Sequence, residues 1–115
     1  MVEPPAREGA AIVFFLEWDK RLIPLPPGEH VIGRAADALV SVASDRVSRR
    51  HALIVVTGDT AAIQDLDSKN GTYVGAIRID QTVDLKNGDR ILVGPAMLIF
   101  RARPDDDSTA SATRV

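Results

Sequence analysis

The sequence predicts an all-β domain built as a sandwich of two sheets, and three observations support this prediction. Short segments rich in valine, isoleucine and phenylalanine recur along the chain, at the spacing of roughly 8–12 residues that is typical of β-sandwiches and barrels. Turn-forming glycine, proline, asparagine and aspartate residues separate these segments. The one window of helix-forming residues, 34–43, is short and interrupted by β-branched residues, so we expect no helix.

The first candidate strand covers residues 10–18, and the pair Asp19-Lys20 predicts a tight turn into a partner strand at residues 21–25. Pro24 predicts that this partner lies at a sheet edge, because proline has no N–H group to donate to a neighbouring strand. Further turns are expected between the last strands, at Asn87-Gly88 and Gly94-Pro95. The remaining candidate strands cover residues 29–33, 38–42, 51–57, 60–66, 72–74, 77–79, 83–85, 90–93 and 97–102.

The composition limits the size and the chemistry of the molecule. The chain has 115 residues, close to the usual size of one domain, and 45% of them are hydrophobic, which is enough for one core. The formal net charge is -2, so no general attraction to nucleic acid or anionic membranes is expected. Cysteine is absent, which excludes disulfides, thiol catalysis and cysteine-based zinc sites. No apolar run approaches the ~20 residues of a membrane span.

The ends of the chain differ in composition from its centre. Residues 1–9 carry two prolines and charges of both signs, and we expect a flexible segment there, without the plan of a secretory signal. Residues 10–103 form the predicted sandwich domain. Residues 104–115 are rich in aspartate, serine, threonine and alanine, and we expect them to be a disordered acidic tail.

Three polar segments are candidates for a binding site. Ser48-Arg49-Arg50-His51 places a hydroxyl, two guanidiniums and an imidazole directly before an apolar strand, and loops on a rigid β scaffold are the usual place for binding residues. Two further polar turns, at Gly33-Arg34 and Ser68-Lys69-Asn70-Gly71-Thr72, would meet this loop if all three lie at one end of the sandwich. Residues 33–51 contain four arginines and two aspartates, a net charge of +2, and Lys69 raises it to +3. We therefore predict a local basic pocket on a weakly acidic chain.

The order and spacing of these segments resemble the forkhead-associated (FHA) domain family. The family pattern is Gly-Arg at a strand end, then Ser-x-x-His, then Asn-Gly-Thr in a loop. The matching segments are Gly33-Arg34, Ser48-x-x-His51 and Asn70-Gly71-Thr72. Flanking residues agree too, at Val31-Ile32, Val47 and Asp65-Leu66-Asp67-Ser68. The resemblance covers about residues 11–103, and three separated motifs in order are far more specific than any one of them.

The resemblance implies an FHA-type β-sandwich of two twisted, mostly antiparallel sheets, with a phosphothreonine-peptide site in its apical loops. It implies a binding module and not an enzyme. By position, Arg34 and Ser48 would contact the phosphate, while Arg49 and Lys69 would help to hold it. Asn70 would hold the peptide backbone next to the phosphothreonine. The residues expected to shape the loops are Gly33, His51, Gly71 and Thr72.

The chemistry of these residues suits such roles. A phosphothreonine brings about −1.5 to −2 charges and three acceptor oxygens, and arginine presents a rigid fork of donors that fits phosphate. Asn70 offers both a donor and an acceptor, which suits a ligand main chain. One residue departs from the family pattern: Gly75 occupies a position at which members of the family often have a second asparagine. Either a lower affinity or a different preference for the residues after the phosphothreonine is expected.

Other function classes receive less support. Asp45, Ser48 and His51 could suggest a catalytic triad, but three side chains within seven residues rarely converge correctly. With two histidines and no cysteine, we expect no metal site and no cofactor. Only 4% of the residues are aromatic, so the stacking platforms of single-strand nucleic-acid binders are missing.

We therefore expect a cytoplasmic, monomeric, phosphorylation-dependent adaptor in serine/threonine kinase signalling or transcriptional regulation. Its partner would be a phosphothreonine-containing protein or peptide, with a serine/threonine kinase upstream and no nucleic acid or membrane bound through this domain. The alternative is an FHA-like interaction or oligomerisation scaffold that no longer depends on phosphorylation. A phosphorylated Thr109 or Thr113 in the tail is a further candidate ligand, in cis or in trans, although a plain linker is the simpler interpretation.

Overall fold

The computed structural model describes residues 11–105, and this part of the chain forms eleven strands and no helix. Consequently, no helix among these residues is long and apolar enough to span a membrane. The strands are β1 (Ile12–Trp18), β2 (Arg21–Pro24), β3 (Gly28–Gly33), β4 (Val40–Ser41), β5 (Ala52–Thr57), β6 (Thr60–Asp65), β7 (Thr72–Val74), β8 (Ile77–Arg78), β9 (Val83–Asp84), β10 (Arg90–Val93) and β11 (Ala96–Pro104).

The strands form two sheets, as the sequence predicted. One sheet has six strands in the order β2-β1-β11-β10-β7-β8, and the other has five in the order β4-β3-β5-β6-β9. The pairings within the described residues are antiparallel except that of β3 with β4, which is parallel. The prediction of an all-β, mostly antiparallel sandwich is therefore confirmed.

The turns predicted from single residues lie between the strands that they were expected to join. Asp19 and Lys20 have φ values of 53° and 61°, the left-handed conformation that a two-residue hairpin turn requires, and they connect β1 to β2. Strand β2, which contains Pro24, lies at the edge of its sheet, as predicted. The Asn87-Gly88 turn connects β9 to β10, which belong to different sheets, so this segment crosses the sandwich and does not close a hairpin.

The core lies between the two sheets and follows the alternation of the strands. In β5, the buried residues alternate with half-buried ones, as period-two patterning predicts. Ile54, Ile63, Leu98 and Phe100 are fully buried, and each such side chain contributes about 1.5–3 kcal/mol on transfer from water. The rings of Phe14 and Phe100 stack with centroids 5.4 Å apart. This packing holds the strand ends, and so the loops that they carry, in fixed positions.

The two ends of the described chain lie side by side, far along the sandwich from its polar loops. The backbone N–H of Asp105 donates to the carbonyl of Ala11 at 2.7 Å. Strand β11 continues to Pro104, one residue past the predicted end of the domain. The predicted flexible segment 1–9 and nearly all of the predicted tail, including Thr109 and Thr113, lie outside the described residues.

Candidate functional site

The three polar segments meet at one end of the sandwich. We call them the 34-loop (residues 34–39, after β3), the 48-loop (residues 42–51, between β4 and β5) and the 70-loop (residues 66–71, between β6 and β7). The backbone N–H of Arg34 donates to the carbonyl of Ser48 at 2.9 Å, which joins the first loop to the second. The backbone N–H of Leu66 donates to the carbonyl of His51 at 2.9 Å, which joins the third.

His51 lies at the centre of this junction and is fully buried. The backbone N–H of Ser48 donates to its Nδ1 at 3.0 Å, and its Nε2 lies 2.7 Å from the carbonyl oxygen of Gly71. An amide can only donate and a carbonyl can only accept, so the imidazole is the neutral tautomer with its proton on Nε2. One ring therefore clamps the 48-loop and the 70-loop together.

Gly33 ends β3 where the backbone of the 48-loop passes closest to it. A Cβ atom at this position would lie 2.0 Å from the carbonyl oxygen and 2.8 Å from the carbonyl carbon of Arg49. The same stretch of the 48-loop accepts hydrogen bonds from the backbone N–H groups of Arg34 and Ala35. Gly33 is thus required for close packing of two backbones.

We expect Gly33→Ala to lower the free energy of unfolding by about 3 kcal/mol, the upper end of the range for overpacking, because the added methyl overlaps backbone that cannot rotate away. Urea denaturation measures the loss. Gly58→Ala is the matched control: a Cβ there meets no atom within 4 Å, and only its left-handed φ opposes it, at about 1 kcal/mol. Equal losses for the two variants would contradict the steric explanation.

Arg34 follows Gly33 and is exposed at the mouth of the junction. Its Nε donates to the carbonyl of Val47 at 3.0 Å. This bond fixes the plane of the guanidinium and uses only one of its five N–H donors, so the four on the terminal nitrogens are not consumed by it. Val47 itself is buried, which anchors the acceptor.

Two hydrogen bonds join the 70-loop to the 48-loop, one from Lys69 and one from Asn70. The backbone N–H of Lys69 donates to Oγ of Ser48 at 3.0 Å, so the Ser48 hydroxyl accepts there and keeps its own hydrogen for another acceptor. Nδ2 of Asn70 donates to the carbonyl of Arg46 at 2.9 Å. The side chain of Lys69 is exposed next to them.

The other predicted site residues take different places. Arg49 is exposed on the 48-loop, and its carbonyl accepts the Ala35 N–H at 3.2 Å. Gly71 is buried with φ 89°, and the Arg78 guanidinium lies directly over its Cα. Thr72 is fully buried, and its hydroxyl donates to Oδ1 of Asp65 at 2.6 Å. Thr72 therefore faces the interior and not the loop mouth.

Asp65, at the end of β6, organises the 70-loop and was not among the predicted site residues. Its Oδ1 accepts the Ser68 hydroxyl at 2.6 Å, and its Oδ2 accepts the Ser68 backbone N–H at 3.0 Å. Oγ of Ser68 in turn accepts the Gly71 N–H at 2.9 Å. The signal was present in the sequence, because an aspartate three residues before a serine in a turn is typical of a side chain that caps its own loop.

The surroundings of Asp65 shift its pKa in two opposed directions. Burial raises the pKa, but the hydrogen bonds from Ser68 and Thr72 outweigh that effect, and the pKa lies below the usual value of 3.8. A carboxyl with a lowered pKa in the folded state stabilises the fold fully above the unfolded pKa, and this contribution is lost as the pH falls through the folded pKa.

We expect Asp65→Asn to lower the free energy of unfolding at pH 7 by about 1.5–3 kcal/mol, the value of hydrogen bonds to a charged group. The difference between wild type and variant should shrink as the pH falls below about 4, because the wild-type carboxyl becomes protonated first in the unfolded chain and, at lower pH, in the folded protein. Denaturation curves at pH 7, 4 and 3 measure this difference. Asp59→Asn, in an exposed turn, is the control. A difference that stays constant with pH would argue against a role for the charge.

The sequence of this chain matches a family model and several known proteins. The family model described as FHA domain matches residues 30–94. The glycogen accumulation regulator GarA of Mycolicibacterium smegmatis is 37% identical over 79 residues, which cover 69% of this chain and 49% of that protein. The chain spans about half or less of the length of the first curated relatives that it matches.

Solved structures agree with the sequence matches. A structure from a study of phosphothreonine-dependent FHA domain interactions superposes with a TM-score of 0.75 and 36% identity, over 80% of this chain and 98% of that one. Mycobacterium tuberculosis EmbR, in complex with a low-affinity phosphopeptide, superposes with a TM-score of 0.73 and 37% identity, over 77% of this chain and 24% of that one.

Proposed function

Because the chain belongs to the FHA family, we propose that it is a phosphothreonine-peptide-binding module that acts as a phosphorylation-dependent adaptor. The observation that carries the proposal is the convergence of Arg34, Ser48 and Lys69 from three separate loops, held by hydrogen bonds between those loops. Each of the three side chains brings a donor to the same end of the sandwich. A phosphate group needs several donors of this kind, arranged around one point.

The roles follow from the donors that remain available. Arg34 offers the terminal nitrogens of a guanidinium whose plane is set by Val47, and Ser48 offers a hydroxyl hydrogen because its oxygen already accepts from Lys69. The Lys69 ammonium adds a mobile positive charge, and Arg49 a second guanidinium. Together they offset the roughly two negative charges of a phosphothreonine.

Asn70 is the residue that would bind the ligand main chain. One donor of its amide is used on the Arg46 carbonyl, which fixes the side chain at the mouth of the junction. The amide oxygen and the second N–H remain for a ligand backbone N–H and carbonyl. Gly33, His51, Gly71 and Thr72 act behind these residues by setting the loop conformations.

The comparisons support the choice of ligand. Two solved neighbours at 36–37% identity are described by phosphothreonine-dependent interactions and by a bound phosphopeptide. The partner of this chain is accordingly a phosphothreonine-containing protein, with a serine/threonine kinase upstream of it. We further propose that the module works as a cytoplasmic monomer, catalyses no reaction, and binds neither nucleic acid nor membrane through this site.

A second candidate function is a scaffold that binds its partner without phosphate. Gly75 favours it: the residue is exposed, has a φ of 65°, and a Cβ there would meet no atom within 4 Å. The position therefore has room for a side chain that could hold a peptide, and the chain supplies none. A partner complex that survives phosphatase treatment and the Arg34→Ala change would establish this alternative.

The experiment that tests the proposal is a screen of a phosphothreonine-peptide library with matched peptides carrying threonine, phosphoserine and aspartate. Phosphothreonine peptides should be selected over all three controls. The residues enriched after the phosphothreonine would define the preference that accompanies Gly75. Equal binding of phosphorylated and unphosphorylated members would refute the proposal.

A further inference from the structure

The six-stranded sheet has a side that faces away from the core, and this side differs from an ordinary solvated surface. Residues paired directly across two strands share one side of a sheet. The pairings place Phe15 between Pro24 and Arg101, and Glu17 between Leu22 and Ile99. We call the side chains of β1, β2, β10 and β11 that point away from the core the outer face.

The outer face exposes large apolar side chains. Among residues 11–105, five large hydrophobic side chains are exposed, and three of them lie here: Val13 at 37%, Leu22 at 60% and Met97 at 47%. A shallow apolar hollow of about 280 Å³ lies between β1 and β2, with Phe15 and Pro24 in its wall. An exposed apolar hollow of this kind, flanked by charged groups, is typical of a protein interaction site.

The composition of the outer face is also that of an interface. Protein–protein interfaces are enriched in aromatic residues, methionine and arginine and are poor in lysine, glutamate, aspartate and serine. The outward positions of these four strands include one phenylalanine, one methionine and three arginines, with one glutamate and no lysine, aspartate or serine. Short edge strands with a proline, such as β2, resist pairing with another strand, so a partner would use side chains and not the sheet edge.

The charges on the outer face select the kind of partner. Arg90, Arg101 and Arg103 stand against Glu17, which leaves an excess of two positive charges in a chain whose total is -2; Asp105 follows just beyond the end of β11. Nε of Arg101 donates to Oε2 of Glu17 at 2.9 Å. The Arg103 guanidinium lies 4.7 Å from the centroid of the Phe15 ring, against the wall of the apolar hollow.

We propose that the outer face is a second protein-binding surface, whose occupant is an acidic segment of another protein with interspersed apolar side chains. Its carboxylates pair with Arg90 and Arg103, and its apolar side chains cover Val13, Leu22 and the hollow. This contact needs no phosphate. It leaves the three loops free, so the domain holds two proteins at once. The inference does not depend on the function proposed for the loops.

The test is an NMR titration of the isotope-labelled protein with three synthetic peptides of equal length. Glutamate alternates with leucine in the first, lysine with leucine in the second, and glutamate with serine in the third. The glutamate–leucine peptide should shift backbone amide signals of β1, β2 and β11 and leave those of the 48-loop and 70-loop in place. The other two peptides should bind at least tenfold more weakly.

Substitutions on the outer face and outside it test whether the peptide binds there. Leu22→Glu and Arg103→Glu should each weaken binding of the glutamate–leucine peptide at least tenfold, while Ile77→Glu, which alters an exposed isoleucine outside the outer face and the three loops, should leave its affinity unchanged. Thermal melting confirms that each variant is folded. Shifts confined to the loops, equal binding of the lysine–leucine peptide, or tight binding of phosphatidylglycerol vesicles without binding of the peptide would each overturn the proposal. Concentration-dependent dimerisation through these strands without peptide binding would do so too.

Discussion

Arg34→Ala is expected to weaken phosphothreonine-peptide binding by at least about tenfold. The change removes the donors that the Arg34–Val47 bond holds in place. A hydrogen bond to a charged group is worth about 1.5–3 kcal/mol. Since ~1.4 kcal/mol corresponds to a factor of ten in affinity, the loss of one such bond accounts for the expected change. Isothermal titration with one phosphothreonine peptide from the library measures the loss. Arg34→Lys should recover only part of the affinity, because an ammonium cannot reproduce the planar fork.

Arg50→Ala is the matched control for this change. Arg50 is exposed on the same 48-loop, so its removal subtracts an equal charge without touching the expected phosphate contacts. A small decrease from weaker long-range attraction is expected, and it should vanish as salt is added. If Arg34→Ala and Arg50→Ala have the same effect, the site has been misplaced. If neither changes the affinity, the scaffold alternative gains support.

His51→Ala is expected to lower the free energy of unfolding by about 3–5 kcal/mol. Removing a large buried side chain leaves a cavity, and two polar groups lose their partner: the Ser48 N–H and the Gly71 carbonyl. Unsatisfied buried groups of this kind cost about 1–3 kcal/mol each. Chemical denaturation measures the total. At temperatures where the variant is still folded, phosphopeptide affinity should also fall, because the 48-loop and 70-loop are no longer clamped.

His30 provides the comparison, since the chain has two histidines. Its ring bonds the carbonyl of Pro26 at a half-exposed position, so His30→Ala should change stability by less than about 1 kcal/mol and leave ligand affinity unchanged. A loss for His51→Ala as small as that for His30→Ala would show that the clamp contributes little.

The fold could be predicted from the sequence because its signals are local. The left-handed Asp19-Lys20 turn, the edge position of Pro24 and the alternation in β5 each depend on a few adjacent residues. The pairing order of the strands could not be predicted in this way. The neighbours β1 and β11 are separated by most of the chain, and nothing in either segment encodes the other.

The candidate site, too, could be predicted only in part from the sequence. The order of the motifs indicated which loops carry it, and backbone hydrogen bonds link those loops. Contacts between distant residues remained hidden, such as the Arg78 guanidinium over Gly71 and the side chain of Val47 against Gly94. Asp65 was missed for a different reason: its local signal was present, but its carboxylate acts beneath the loop and not at the surface where ligand contacts are sought.

The distance between the loops and the chain ends limits what the tail can do. Gly94 packs against Val47, so β11 begins beside the site, and its nine residues extend it away by roughly 26 Å at ~3.3 Å per residue. Thr109 follows Asp105 by four residues, a reach of at most ~14 Å. A phosphorylated Thr109 would therefore not reach the site of its own molecule and could dock only in trans. Thr113, eight residues past Asp105, has a reach of at most ~29 Å, so for Thr113 docking in cis and in trans both stay open.

The adjacent ends, joined by the Asp105–Ala11 hydrogen bond, also make the domain portable. A longer polypeptide could enter and leave the domain at this one place, and the three loops would lie at the opposite end of the sandwich. Nothing grafted at the entry would crowd the recognition loops. Such a unit can be inserted into longer chains without disturbing its loops, which fits a chain that spans about half or less of the length of the curated relatives that it matches.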